Sequence, residues 1–357
     1  MRQLSGHKAK IVTIVAVAMS GYALLYVSHF LDLFGVYITS STHRSLFLAF
    51  LLALAFLLLP MRKGEPRDRL PWYDILFILV AITGPLYNFF TWTDNAERYM
   101  WGEFHTFEIV LCAITVLAVL EATRRALGPA IPIVAGVFLL HMFFGNYLPG
   151  ALWVPKLEIE RIASMMAYLD TGIYGIALGI AATVIIMFII FSQFMFATGA
   201  GDSFIKFALS LVGNVRGGPA KVAVVASAFM GMISGATTAN IAATGVFTIP
   251  MMKRIGYKPE FAGAVEAVAS NGGQIMPPIM GLVAFVMAEW LGISYWSIVV
   301  ASLIPAILYF TAVFIMVDAE AGRLGLRGMP RSECPPMLQT LKEGWFFFLP
   351  ILSPKLL

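Results

Sequence analysis

Cysteine is all but missing from this chain. Cys112, inside an apolar run, and Cys334, in a loop, are the only two, and they give neither a disulfide framework nor a Cys/His metal site. Charge is scarce as well. Asp, Glu, Lys and Arg make up 12% of the 357 residues, roughly half the share usual in a soluble domain, which excludes that class. No glycine-rich phosphate loop is present and no nucleophile–base pair can be placed, so neither an enzyme nor an organic cofactor is expected. What fills the space is apolar: 59% of the residues are hydrophobic, as in an all-α polytopic membrane protein embedded in a lipid bilayer. The net charge of +4 is then a signal of topology, not the footprint of a nucleic-acid partner.

Arg2, Lys8 and Lys10 precede the apolar run Ile11–Val27. The run is too long for the core of a cleaved signal peptide, so it reads as a first transmembrane helix with its N-terminus inside. Further spans are expected at about Ser45–Leu59, Ile75–Phe90, Phe104–Glu121, Ile131–Leu148, Ile173–Phe196 and Trp296–Val317. Arg62, Lys63, Arg67 and Arg69 mark an inner loop, while Asp94, Glu97, Arg98 and Glu103, with Trp92, Tyr99 and Trp101 beside them, mark an outer one. Four spans closing at Arg124–Arg125 form one unit, residues 1–125, and residues 126–357 form a second. The segment from Leu148 to Gly172 is expected to lie along the outer surface. Ala200–Val212, with Asp202 and Lys206 four apart, reads as an amphipathic helix at the inner interface. The loop Asp318–Gly344 carries Arg323, Arg327, Arg331 and Lys342 and is inner.

Two apolar segments are interrupted. Val222–Ile233 and Ile241–Met252 flank the break SGATTAN, Ser234–Asn240. Each arm of about twelve residues reaches ~18 Å, less than a ~30 Å hydrocarbon core. Both outer flanks are basic (Arg216, Lys221; Lys253, Arg254, Lys258), which fits a re-entrant hairpin over residues 222–252 better than one long crossing. The second break, NGGQIMPP, Asn271–Pro278, parts Phe261–Ser270 from Ile279–Leu291. Adjacent glycines and prolines there cannot continue a helix, so residues 260–291 read as a broken transmembrane helix. Its freed backbone groups must face protein, water or an ion. Ser234, Gly235, Thr237, Thr238 and Asn240 at the hairpin tip, with Asn271, Gly272, Gly273, Gln274, Pro277 and Pro278 at the break, are the candidate ion and substrate site. Their hydroxyls, amides and unwound carbonyls are hard donors suited to Na⁺. Small residues such as Gly231 and Gly235 could equally serve close helix packing.

GMISGATTAN followed by IPMMKRIGYKPEFAGAVEAVASNGGQIMPPIMG resembles the large membrane subunit of tripartite ATP-independent periplasmic (TRAP) transporters. The likeness covers roughly residues 172–292 and is nearest to the branch that fuses small and large membrane subunits and works with a TAXI-type binding protein. The resemblance implies an elevator-type, cation-gradient-driven importer of organic acids or amino acids in the cytoplasmic membrane of a prokaryote. It implies an extracytoplasmic solute-binding protein as partner, cation sites at the hairpin tip and broken helix, and a small-subunit-like role for residues 1–125. The alternatives are a divalent-anion symporter without a binding protein and a non-transporting assembly or regulatory subunit.

Glu266 lies little more than one turn before the second break, where a charge is costly, and is a candidate coupling carboxylate that leaves H⁺ open beside Na⁺. Glu289 is expected to be solvated and His141 to be a satisfied packing residue. Transporters of this architecture carry the hairpin and broken helix twice, as inverted repeats, and this chain carries them once. The apolar run Trp345–Leu352 reaches only ~12 Å. The expectation is therefore a chain cut or shifted in frame near Ser353–Leu357, the alternative being a half-transporter that pairs with another chain.

Overall fold

The computed structural model describes residues 2, 4–62, 64–65, 68–169 and 171–349. Lys63 and Arg67 of the loop expected to be inner, and the stretch Ser353–Leu357, lie outside the described residues. Among the described residues the secondary structure is helical throughout, and seven helices are long and apolar enough to cross a membrane. The chain is a polytopic membrane protein. It divides into two compact units, residues 1–186 and 187–357.

The first unit holds α1 (His7–Val27), α2 (Ser40–Leu58), α3 (Trp72–Trp101), α4 (Thr106–Leu127), α5 (Ala130–Phe144), α6 (Ile159–Ala167) and α7 (Ile176–Ile180). Its core forms around α2, where Leu48, Leu52 and Phe56 meet Ala81 of α3, Ala118 of α4 and Tyr174. The expected span at Ser45 starts five residues earlier, because the Thr39 hydroxyl caps the helix by accepting Thr42 N–H at 3.3 Å. The expected end of the third span at Phe90 is overturned: α3 continues to Trp101, carrying Asp94, Glu97 and Arg98 as helix. Pairing explains the extension. Arg98 holds the fully buried Glu108 at 2.5 and 2.9 Å, and Tyr87 and Tyr99 donate to the same carboxylate at 2.8 and 3.0 Å. The segment between α5 and α7, expected to lie along the outer surface, is also more embedded than expected. Ser164 of α6 donates to Tyr99 O at 3.3 Å, and Tyr168 donates to Glu108 O at 2.7 Å.

A five-residue π turn, Ala181–Ile185, joins α7 to α8 (Ile186–Ala197), and the boundary between the units falls at the start of α8. The second unit continues with α9 (Ala200–Val212), α10 (Gly218–Ser234), α11 (Thr237–Arg254), α12 (Pro259–Gly272), α13 (Leu282–Leu291), α14 (Tyr295–Arg323) and α15 (Met337–Gly344). α9 has the bounds that its amphipathic pattern predicts, and Ile205 and Ala208 pack its apolar side on Val222 and Ala226 of α10. α14 runs six residues past the expected end at Val317, so Asp318 is helical rather than the start of a loop. Beside larger residues such as Met252 and Tyr257, the core around α12 holds five alanines: Ala220 and Ala223 of α10, Ala262 and Ala269 of α12, and Ala321 of α14. Such residues let helix backbones approach closely where lipid supplies no hydrophobic drive.

Candidate functional site

α10 and α11 lie against each other as the predicted hairpin, with a tighter turn and longer arms than expected. Only Gly235 and Ala236 separate the two helices. Gly235 takes a left-handed φ of 57°, and its N–H closes on Gly231 O at 3.1 Å, the helix ending that glycine favours. The seven-residue break Ser234–Asn240 is thus corrected: Ser234 is the last residue of α10, and Thr237, Thr238 and Asn240 begin α11. The arms hold 17 and 18 residues, or ~26 Å each, still short of a ~30 Å core. The basic flank before the hairpin is drawn into α10 because Lys221, buried there, reaches Asp318 at 2.6 Å and lies over the Phe314 ring.

The second interruption runs from 273 to 281, between α12 and α13. Asn271 and Gly272, expected inside the break, are the last residues of α12, while Gly273, Gln274, Pro277 and Pro278 are irregular. The freed backbone groups find protein partners. Gly281 N–H donates to Gln274 O at 2.7 Å, and the Tyr295 hydroxyl meets Pro278 O at 3.0 Å and also Ile279 O.

The two interruptions meet. Gly231 lies directly on Gly273, and Gly235 on Met280 O, leaving no room for a Cβ at either hairpin glycine. Gln274 Nε2 donates to Thr237 Oγ1 at 2.8 Å, and Thr237 Oγ1 donates to Asn271 Oδ1 at 3.3 Å. Ser234 Oγ, one residue before the tip, is buried and has no hydrogen-bond partner among the described residues. Two predicted residues fall elsewhere. Thr238 is exposed, and Asn240 is fully buried between the arms, donating to Ser227 O at 2.8 Å.

Glu266 is 1% exposed, and among the described residues its carboxyl is held by hydroxyls alone: Thr244 on Oε1, Thr248 on Oε2, and Ser270 on Oε1 at 3.2 Å. Glu266 is legible in the sequence, but its partners are not among the predicted site residues, because Thr244, Thr248 and Ser270 lie outside both breaks. The signal was there: Asn240, Thr244 and Thr248 recur every fourth residue along one face of α11, and Ser270 is four residues after Glu266. Tyr295 carries no such pattern. Outside the site, His141 Nε2 donates to Leu152 O at 2.9 Å, the satisfied role expected of it, and Glu289 is exposed.

A hairpin of helices too short to span, packed on an interrupted helix in a polytopic membrane protein, defines the architecture that secondary transporters use. Comparison with known proteins narrows the class. The chain belongs to the family described as "Tripartite ATP-independent periplasmic transporter, DctM component", whose model matches residues 114–354. This is a transporter permease family, not an enzyme family. The chain is 27% identical over 241 residues to the C4-dicarboxylate TRAP transporter large permease protein DctM of Vibrio cholerae, covering 67% of this chain and 50% of that protein. It is 27% identical over 167 residues to the sialic acid TRAP transporter large permease protein SiaM of the same species, covering 47% and 38%. It is 25% identical over 224 residues to the ectoine/5-hydroxyectoine TRAP transporter large permease protein UehC of Ruegeria pomeroyi, covering 62% and 48%. The chain spans half or less of the length of these relatives.

Proposed function

We propose that this chain supplies a cation-handling part of a secondary importer in the cytoplasmic membrane of a prokaryote, with its N-terminus inside. The cargo is a small organic anion or amino acid delivered by an extracytoplasmic binding protein, of the TAXI type, and the drive is a sodium gradient. The hairpin and broken helix move together as an elevator-type element, and residues 1–125 play the part of a fused small subunit. That the family match begins only at residue 114 supports the last point.

The observation that carries the reading is the crossing of the two interruptions beside a buried hydroxyl with no partner. An orphaned buried polar group is costly, and a hard cation is one ligand that would satisfy Ser234 Oγ. Thr237, Asn271 and Gln274 add oxygen donors on the exposed side of the same crossing.

Thermal unfolding of the purified chain in sodium chloride, against choline and potassium chloride at equal ionic strength, tests this. Sodium alone is expected to raise the melting temperature, by linkage to the folded state. Ser234→Ala should raise stability in choline, because it removes the orphan, and abolish the sodium increment. Equal increments in sodium and potassium, or a sodium increment untouched by Ser234→Ala, would overturn the assignment.

A further inference from the structure

We propose that Glu266 is a proton-binding site, a carboxyl held as the neutral acid at neutral pH between α11 and α12, separate from the sodium site at the hairpin tip. An ionised carboxylate leaves too few protons for the oxygen pairs around it. Five contacts of 3.2 Å or less surround the carboxyl and its threonines, with Ser227 Oγ and Asn240 Oδ1 farther off, at 3.5 and 3.4 Å from Thr244 Oγ1. Thr244 Oγ1 is within reach of Asn240 O at 2.9 Å and of Glu266 Oε1; Thr248 Oγ1 is within reach of Thr244 O at 3.0 Å and of Glu266 Oε2; Ser270 Oγ reaches Oε1 at 3.2 Å. Each hydroxyl brings one proton, and an ionised carboxylate brings none. Three protons cannot fill five contacts, so an ionised Glu266 leaves two close oxygen pairs without hydrogen between them. A protonated Glu266 brings a fourth and leaves one such pair instead of two. Its O–H donates to one threonine, and that threonine donates onward to its own helix carbonyl.

Charge balance points the same way. Among the described residues no ion pair joins Glu266 to a cation. The ionisable groups on the helices packed against α12 are engaged elsewhere or lie at exposed ends. Lys221 of α10 pairs with Asp318 of α14, and Arg323 of α14 with Glu320. Tyr309 of α14 donates to Val268 O. On α11, Arg254 pairs with Glu333, and Lys253 is exposed. Thr244 and Thr248 sit two and three turns inside α11, beyond the reach of its N-terminal dipole. An unpaired buried charge is among the costliest groups a helical core can hold, and taking up a proton removes that cost.

The protonation stands on this geometry. Its role in transport rests on the reading of the hairpin and broken helix as the cation-handling part. Loss of the proton would strand a carboxylate between α11 and α12, so the proton's presence is tied to whether the two helices stay packed.

Infrared spectroscopy of the full chain in lipid nanodiscs tests the site without a transport substrate. At neutral pH the wild type is expected to show a buried carboxylic-acid C=O stretch that is missing from Glu266→Gln. Thr248→Val should keep the band and move it to higher frequency, since one hydrogen bond is lost. A wild type with no acid C=O band at neutral pH overturns the proposal without recourse to any variant. So does a band that survives in Glu266→Gln, or one that neither Thr248→Val nor Thr244→Val displaces. Sodium binding is read separately by the thermal shift, so the two proposals fail independently. An acid band without a sodium increment leaves this site standing and the sodium reading fallen, and the reverse result does the opposite.

Discussion

Gly231 of the hairpin and Gly273 of the broken helix meet backbone to backbone, each standing where the other's side chain would have to go. This contact locks the hairpin's tip region to the start of the irregular stretch. Gly231→Ala is therefore expected to cost about 1–3 kcal/mol through overpacking. Gly263→Ala is the matched control: that glycine is inside α12 with open space around it, so alanine should gain up to about 1 kcal/mol of helix propensity. Opposite signs of melting-temperature change for the two variants are the expected result.

Gly235 is constrained twice, by its φ of 57° and by Met280 O against its Cα. Gly235→Ala should cost about 1–2 kcal/mol from the left-handed backbone alone, before any collision is counted. Because the collision pushes the tip away from the broken helix, the same variant should shrink the sodium-dependent rise in melting temperature. A variant that melts lower yet keeps the full sodium increment would separate the tip's geometry from ion binding.

Asp318 accepts from both Lys221 and Arg216. The two cations are not equivalent: the Lys221 side chain is 7% exposed and that of Arg216 is 56%. Removing the carboxylate strands a buried ammonium, whereas removing Arg216 loses a solvated pair worth little. Asp318→Asn should therefore lower the melting temperature clearly more than Arg216→Gln. Lys221→Met together with Asp318→Asn should recover part of that loss.

Arg2 ties the start of the chain to the loop after α2, reaching Glu65 at 3.2 Å, and to the buried Asp74 of α3. Burial pushes the Glu65 carboxyl up, but hydrogen bonds from Tyr73 and Arg2 outweigh it and hold the group below the usual glutamate range. A lowered folded-state value means the contribution is present above the unfolded value and is lost as pH falls through the folded one. Protection of the amide hydrogens around α1, taken relative to their intrinsic exchange rates at each pH, should therefore stay high at neutral pH and fall on acidification below that range. Glu65→Gln should have low protection already at neutral pH and show a weaker acid dependence.

The elements most legible in the sequence were those with a local physical cause. α9 is marked by its amphipathic period, and the broken helix by Gly272–Gly273 and Pro277–Pro278, which no helix can pass through. Element ends were less legible where a partner far along the chain decides them. α3 outruns its apolar stretch because Arg98 finds Glu108, and α14 outruns its own because Asp318 finds Lys221. Charge read as a loop boundary became helix once it was paired.

The candidate site divides along the same line. Residue types alone determined that the chain is an apolar, many-helix membrane protein with two interrupted segments rich in small residues and oxygen donors, because backbone polar groups in lipid leave few alternatives. Only tertiary structure decided that the interruptions touch, that Asn240 turns inward to Ser227 while Thr237 faces Gln274, and that Glu266 meets three hydroxyls and, among the described residues, no cation. Which side chain satisfies which is set by how α10, α11 and α12 pack, and glycine at 231, 235 and 273 permits that approach without announcing its partner.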